Sequence, residues 1–169
     1  MRKKQKQEIL EFIKSLYEAH KEINAALEKG IKSAAQSMLC ECQEYAIELG
    51  NVIETFEGEG FVTVSYIERY CEILYHYYEK LSEIEDTGLK QNRKIAKKIV
   101  DALNKQMTNI EYSIKNDIKE KKEIVFFPYK ASMWDSLESV YLAAKEDENC
   151  DAYCVPIPYY DKNPDGSLG

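Results

Sequence analysis

Four times between residues 9 and 118 the apolar side chains of this sequence recur at spacings of three and four, and short breaks separate one run from the next. That period lays the apolar groups along one stripe of an α-helix, and a stripe so wide has to be covered by another element. The first run is Ile9, Phe12, Ile13, Leu16, Tyr17, His20, Ile23 and Leu27, which predicts a helix over residues 3–29. Gly30 can adopt the positive φ of a helix end, and a second run follows through Ile31, Ala35, Leu39, Cys42, Tyr45, Ala46, Leu49, Val52, Ile53 and Phe56. Gly58-Glu59-Gly60 breaks that run. Thr63, with Ser65 close behind, is expected to cap a third helix carrying Ile67, Tyr70, Cys71, Leu74, Tyr78 and Leu81. After a break at residues 85–88 the fourth stripe runs Ile95, Ile99, Leu103, Met107 or Ile110, Ile114 and Ile118. Connections this short force each helix to reverse direction, so the expected architecture over residues 1–121 is mainly α, an antiparallel bundle of four long helices.

At Glu123 the period changes. Ile124-Val125-Phe126-Phe127 is a continuous apolar run ended by Pro128, the pattern of a short buried strand. Ser132 is expected to cap the next helix, with Asp135 in its first turn and Trp134, Leu137, Val140, Tyr141 and Ala144 along it. Asn149-Cys150-Asp151 is expected to close that helix, and residues 152–157 read as a second strand parallel to the first. Residues 122–169 are thus expected to form the start of a truncated, Rossmann-like α/β domain. Two parallel strands and one helix cannot cover both faces of a sheet. Either more polypeptide follows Gly169, or the bundle and a second copy of the chain shelter the strand edges, and both routes favour a homo-oligomer.

The net charge of -7 argues against a nucleic-acid partner, which needs a basic surface to neutralise phosphates. No stretch approaches the roughly 20 apolar residues that cross a bilayer, and the N-terminus lacks the apolar run of a signal peptide. Five cysteines, an odd number lying mostly in regular elements, suit the free thiols of a reducing compartment, so the cytoplasm is expected. The basic start, Arg2 to Lys6, either contacts the anionic inner face of the membrane or is a solvated helix terminus. Cys40 and Cys42 point apart on a helix, which gives no metal site, and neither His20 nor His76 has a nucleophile beside it. Gly58-Glu59-Gly60 lacks the strand and the lysine of a phosphate loop. No metal, cofactor or catalytic residue is expected.

In open α/β sheets ligands bind beyond the carboxyl ends of the strands, where loops lead into helix N-termini. Tyr129, Lys130, Ser132, Trp134 and Asp135 occupy that place after the first strand. Lys130 can neutralise a phosphate, and Ser132 with the first free amides of the helix can bond its oxygens. Against this stands a purely structural role, with Ser132 capping and Trp134 packing. The corresponding loop after the second strand carries Tyr159, Tyr160, Asp161 and Lys162.

The stretch Phe126-Phe-Pro-Tyr-Lys-Ala-Ser-Met-Trp-Asp-Ser-Leu-Glu-Ser139, followed by Cys154-Val-Pro-Ile-Pro-Tyr-Tyr-Asp-Lys-Asn-Pro-Asp-Gly166, resembles the entry into bacterial CDP-glycerol glycerophosphotransferase-like proteins. Glu57-Gly-Glu-Gly-Phe-Val-Thr-Val-Ser-Tyr66 is similar to the segment that precedes it in clostridial-type members. The resemblance implies a transferase of glycerol phosphate in teichoic-acid or related polymer synthesis, working at the cytoplasmic face of the membrane. It implies too that a later Rossmann-like domain, with the donor site and catalytic histidines, lies outside these residues, so that the chain alone is inactive. Of the residues present, Lys130, Ser132, Trp134 and Asp135 match the family's first loop, on the acceptor side. The alternative is a stand-alone oligomerising interaction protein without catalysis, and a third reading is a regulatory module binding a small phosphorylated ligand at Lys130 and Ser132.

Overall fold

The computed structural model describes residues 1–84, 88–128 and 130–158, apart from the side chain of Ala131. Four long helices come first: α1 (Lys3–Glu28), α2 (Lys32–Glu57), α3 (Val62–Glu83) and α4 (Leu89–Asn116). Each packs on its neighbours in sequence, and α4 closes the ring against α1, so α2 and α4 stand at opposite corners of an up-down bundle. Gly30 and Gly58 take the positive φ values, 76° and 96°, that turn the chain after α1 and α2. A β-α-β unit follows: β1 (Lys122–Phe126), α5 (Ala131–Glu146) and β2 (Cys150–Cys154). The two strands pair in parallel, Lys122 opposite Cys150 and Phe126 opposite Cys154. The chain divides into two compact units at Ile118 and Lys119, with Arg2 counted in the second.

The bundle core is the row of stripe residues expected from the spacing. Ile13, Leu16 and Ile23 of α1, Leu39 and Ile53 of α2, Ile67 and Leu74 of α3, and Leu103, Met107, Ile110 and Ile114 of α4 are at most 2% exposed. Both Met107 and Ile110 are inside. Each such side chain removed from water contributes about 1.5–3 kcal/mol, so the packing of these amphipathic faces supplies most of what holds the helices together. The stripe of α2 is broader than the surface it buries: Ile31, Tyr45, Val52 and Phe56 remain 43–48% exposed. Tyr45 and Val52 sit one position, about 100° of helix rotation, before Ala46 and Ile53 of the row that faces inward, while Ile31 and Phe56 stand at the two ends of the helix.

Helix ends depart from expectation. Thr63 caps nothing: α3 begins one residue earlier, after extended Phe61, and no side chain caps it. Thr63 is instead fully buried, its hydroxyl 2.8 Å from that of Ser113, which donates to Asp117 Oδ2 at 2.6 Å. Lys6 is not a solvated part of a basic terminus. Its ammonium is buried against the end of α4 and donates to the carbonyls of Lys115 and Ile118, both at 2.9 Å. Lys32 does the same for α3, donating to the Ile84 carbonyl at 2.6 Å. Cations at helix C-termini satisfy carbonyls that have no partner within the helix and complement the dipole there.

In the second unit β1 is not the buried strand its apolar run suggests. Phe126 is buried, but Val125 and Phe127 are 42% and 54% exposed, as are Tyr153 at 45% and Val155 at 47% on the β2 side. Within this unit a single helix, α5, packs on the sheet. Asp147, rather than Asn149 to Asp151, ends α5, its Oδ1 accepting the Asn149 amide at 2.8 Å. Cys150 and Asp151 already belong to β2, which starts two residues earlier than expected. Ser132 does not cap α5: Lys130 holds the cap position with extended backbone, and Ser132 lies in the first turn. Asp135 falls in the second turn, beyond the amides it was expected to complement.

Candidate functional site

Past the ends of the strands the two segments stay side by side. The Val155 amide donates to the Phe126 carbonyl at 2.9 Å and the Ile157 amide to the Pro128 carbonyl at 3.1 Å, which carries the parallel pairing beyond Cys154. Where these segments meet the first turns of α5 they leave an open depression of about 590 Å³, lined by Pro128, Lys130, Trp134, Tyr141, Pro156 and Ile157. Its position, at the carboxyl ends of parallel strands beside a helix N-terminus, is the one from which open α/β sheets bind ligands.

The walls are aromatic. The rings of Trp134 and Tyr141 lie 5.2 Å apart at 58°, and Tyr141 meets Phe126 edge-on at 5.6 Å. These pairs are offset arrangements that the ring quadrupoles favour. They fasten the depression to Phe126, the buried residue of β1. Trp134 and Tyr141 are seven positions apart, two helical turns, and so share the sheet-facing side of α5. The Lys145 ammonium stands 5.9 Å from the centre of the Tyr141 ring, a cation–π contact.

Of the four expected ligand residues the structure brings two together. Lys130 and Trp134 line the depression; Ser132 and Asp135 are exposed and do not. At about 100° per residue, Ser132 lies some 200° behind Trp134 and Asp135 about 100° ahead of it. Tyr129 and residues 159–162 lie outside the described residues. Tyr141, Pro156 and Ile157 were missed, although the seven-residue spacing from Trp134 was legible.

The bundle holds the other concentration of titratable groups, around fully buried His20. Its Nδ1 is 2.7 Å from Asn104 Oδ1, an oxygen that can only accept, so Nδ1 carries the proton. Nε2 then accepts from the Tyr70 hydroxyl at 2.6 Å, and the Cys42 thiol is buried in the same core. Burial pushes the Tyr70 phenol and the Cys42 thiol up, the latter to about 11, and pulls the His20 imidazole down. Every member is therefore neutral near pH 7, and the chain of hydrogen bonds is a satisfied core network rather than an activated nucleophile. His76 lies exposed on α3 with its ring 5.2 Å from that of Tyr77.

Set against protein-family models, curated proteins and solved structures, the chain matches none.

Proposed function

We propose that this chain supplies the helical bundle and the acceptor-side opening of a CDP-glycerol glycerophosphotransferase-like protein, working at the cytoplasmic face of a bacterial membrane. One observation carries the reading: Lys130 and Trp134 of the family-like loop line a single depression at the carboxyl ends of two parallel strands. Lys130 offers an ammonium to a phosphate, and the faces of Trp134 and Tyr141 offer an apolar wall to the carbon backbone of a glycerol unit. Five free cysteines agree with a reducing compartment. No helix among the described residues is long and apolar enough to cross a membrane, so contact with the bilayer is peripheral in this proposal.

Transfer itself is assigned elsewhere. Both histidines of the sequence are in the bundle, and His20 is locked in its network, so the depression has no histidine to act as acid or base. The purified chain is expected to bind glycerol 3-phosphate by calorimetry, to lose that binding in Lys130→Ala, and to transfer nothing from CDP-glycerol. Measurable turnover by the chain alone overturns the assignment, and absence of heat with glycerol 3-phosphate or a short glycerol-phosphate oligomer removes the acceptor role.

A further inference from the structure

Charge is unevenly divided among the helices. α2 carries Glu41, Glu44, Glu48, Glu54 and Glu57 against Lys32, and α3 adds Glu68, Glu72, Glu79 and Glu83 against Arg69 and Lys80. The first half of α4 carries Lys90, Arg93, Lys94, Lys97 and Lys98 with no acid before Asp101. All five cations are exposed, and none makes an ion pair with a described residue. They also crowd a helix N-terminus, where positive charge opposes the dipole, so they lower the stability of α4 rather than raise it.

On the opposite side of the bundle α2 and α3 leave an open groove of about 730 Å³. Glu54, Glu68 and Glu72 line it together with Ile47 and Tyr75, which are 51% and 53% exposed. Gly50 helps to open it, since a Cβ there would be 3.8 Å from the nearest methyl of Ile67 and the groove floor stays low. We infer that this groove takes the basic ridge of α4 from a second copy of the chain, giving a head-to-tail, salt-dependent self-association.

Three features select that occupant. Lys90, Lys94 and Lys97 follow one another by four and three residues along one side of α4, rising about 6 and 4.5 Å. Glu68, Glu72 and Tyr75 repeat the same intervals on α3. Lysine stems can lie over Ile47 and Tyr75 while their ammonium groups reach Glu54 and Glu68. Finally, α2 and α4 occupy opposite corners, so one molecule cannot satisfy its own groove, and a two-fold contact of groove on groove would set acid against acid. A heterologous contact is the arrangement that pairs unlike charge, and it propagates until it closes into a ring or runs on as a filament. The inference concerns the bundle and is independent of the reading given to the α/β unit.

Sedimentation velocity of the whole chain tests it. At low ionic strength the mass should grow with concentration, and at about 1 M salt, where the Debye length is about 3 Å, it should return to the monomer. Lys94→Glu with Lys97→Glu, and separately Glu54→Lys with Glu68→Lys, should each weaken association about tenfold or more. Mixing the two reversed variants should restore it. Circular dichroism verifies that both remain folded, and the salt response of the unaltered chain stands if one does not. A chain that stays monomeric at low salt, association indifferent to salt, or two folded variants that fail to restore each other overturns the inference.

Discussion

At the centre of the bundle the Tyr70 hydroxyl lies 2.6 Å from His20 Nε2, and both side chains are fully buried. The contact joins α1 to α3, while the other ring nitrogen of His20 joins α1 to α4 through Asn104. A buried donor and acceptor matched in this way cost little; an orphaned one costs its full desolvation. Tyr70→Phe should therefore lower stability by about 1–3 kcal/mol, because Nε2 loses its donor inside the buried core. The urea midpoint reads this directly, and an unchanged midpoint would mean that the pair carries no stability.

The same histidine makes stability depend on pH. Burial holds its imidazole below the ordinary 6.5, and the Asn104 hydrogen bond opposes this only in part. As pH falls through about 6.5 the unfolded chain binds a proton that the folded chain refuses, so the stabilisation present above that value drains away until the folded-state value is reached. Urea midpoints at successive pH values between neutrality and mild acid should decline, and His20→Gln should flatten the decline. An equal slope in the variant would place the effect in other groups.

Lys6 holds the end of α4 by two carbonyls, and Lys6→Met leaves both without their charged donor. A loss of about 1–3 kcal/mol is expected, in the range of hydrogen bonds to charged groups. Lys4, whose side chain is 89% exposed, supplies the control: Lys4→Met should change stability by no more than about 0.5 kcal/mol. Equal effects of the two substitutions would contradict the capping geometry.

Thiol reactivity should separate the cysteines of α2. Cys40 is exposed, whereas the Cys42 thiol is buried and pushed up to about 11. Only the thiolate reacts, so in the native chain at neutral pH a disulfide reagent should label Cys40, with exposed Cys154, well before Cys42. Mass mapping of labelled peptides over time distinguishes the sites. Labelling of Cys42 at the pace of Cys40 would place it on the surface.

Spacing alone located the helices, because a period of three and four has to put Ile13, Ile53 or Leu103 on a covered face whatever covers it. Lys130 and Trp134 were legible as neighbours in the candidate site for a similar reason, since a loop leading from a strand into a helix has a fixed place in a parallel unit. Ser132 and Asp135 fall away from that site because α5 begins at Ala131, two residues earlier than a Ser132 cap would give. Within that helix they lie about 200° and 100° around the axis from Trp134, and composition does not record where a helix starts.

By itself, then, the sequence determined the number of long helices, their reversals at Gly30 and Gly58, the parallel pair of strands and which apolar rows had to be hidden. These follow from short-range periodicity and from the few residues that tolerate positive φ. Only the tertiary structure decided which polar groups met inside: Lys6 with the end of α4, Thr63 with Ser113, His20 with Tyr70 and Asn104. Each of these pairs joins positions at least 50 residues apart, and hydrogen bonds over such separations are set by how helices rotate and slide against one another. A local pattern carries no record of that. The placement of α2 and α4 at opposite corners, with their unlike charges apart, was decided in the same way.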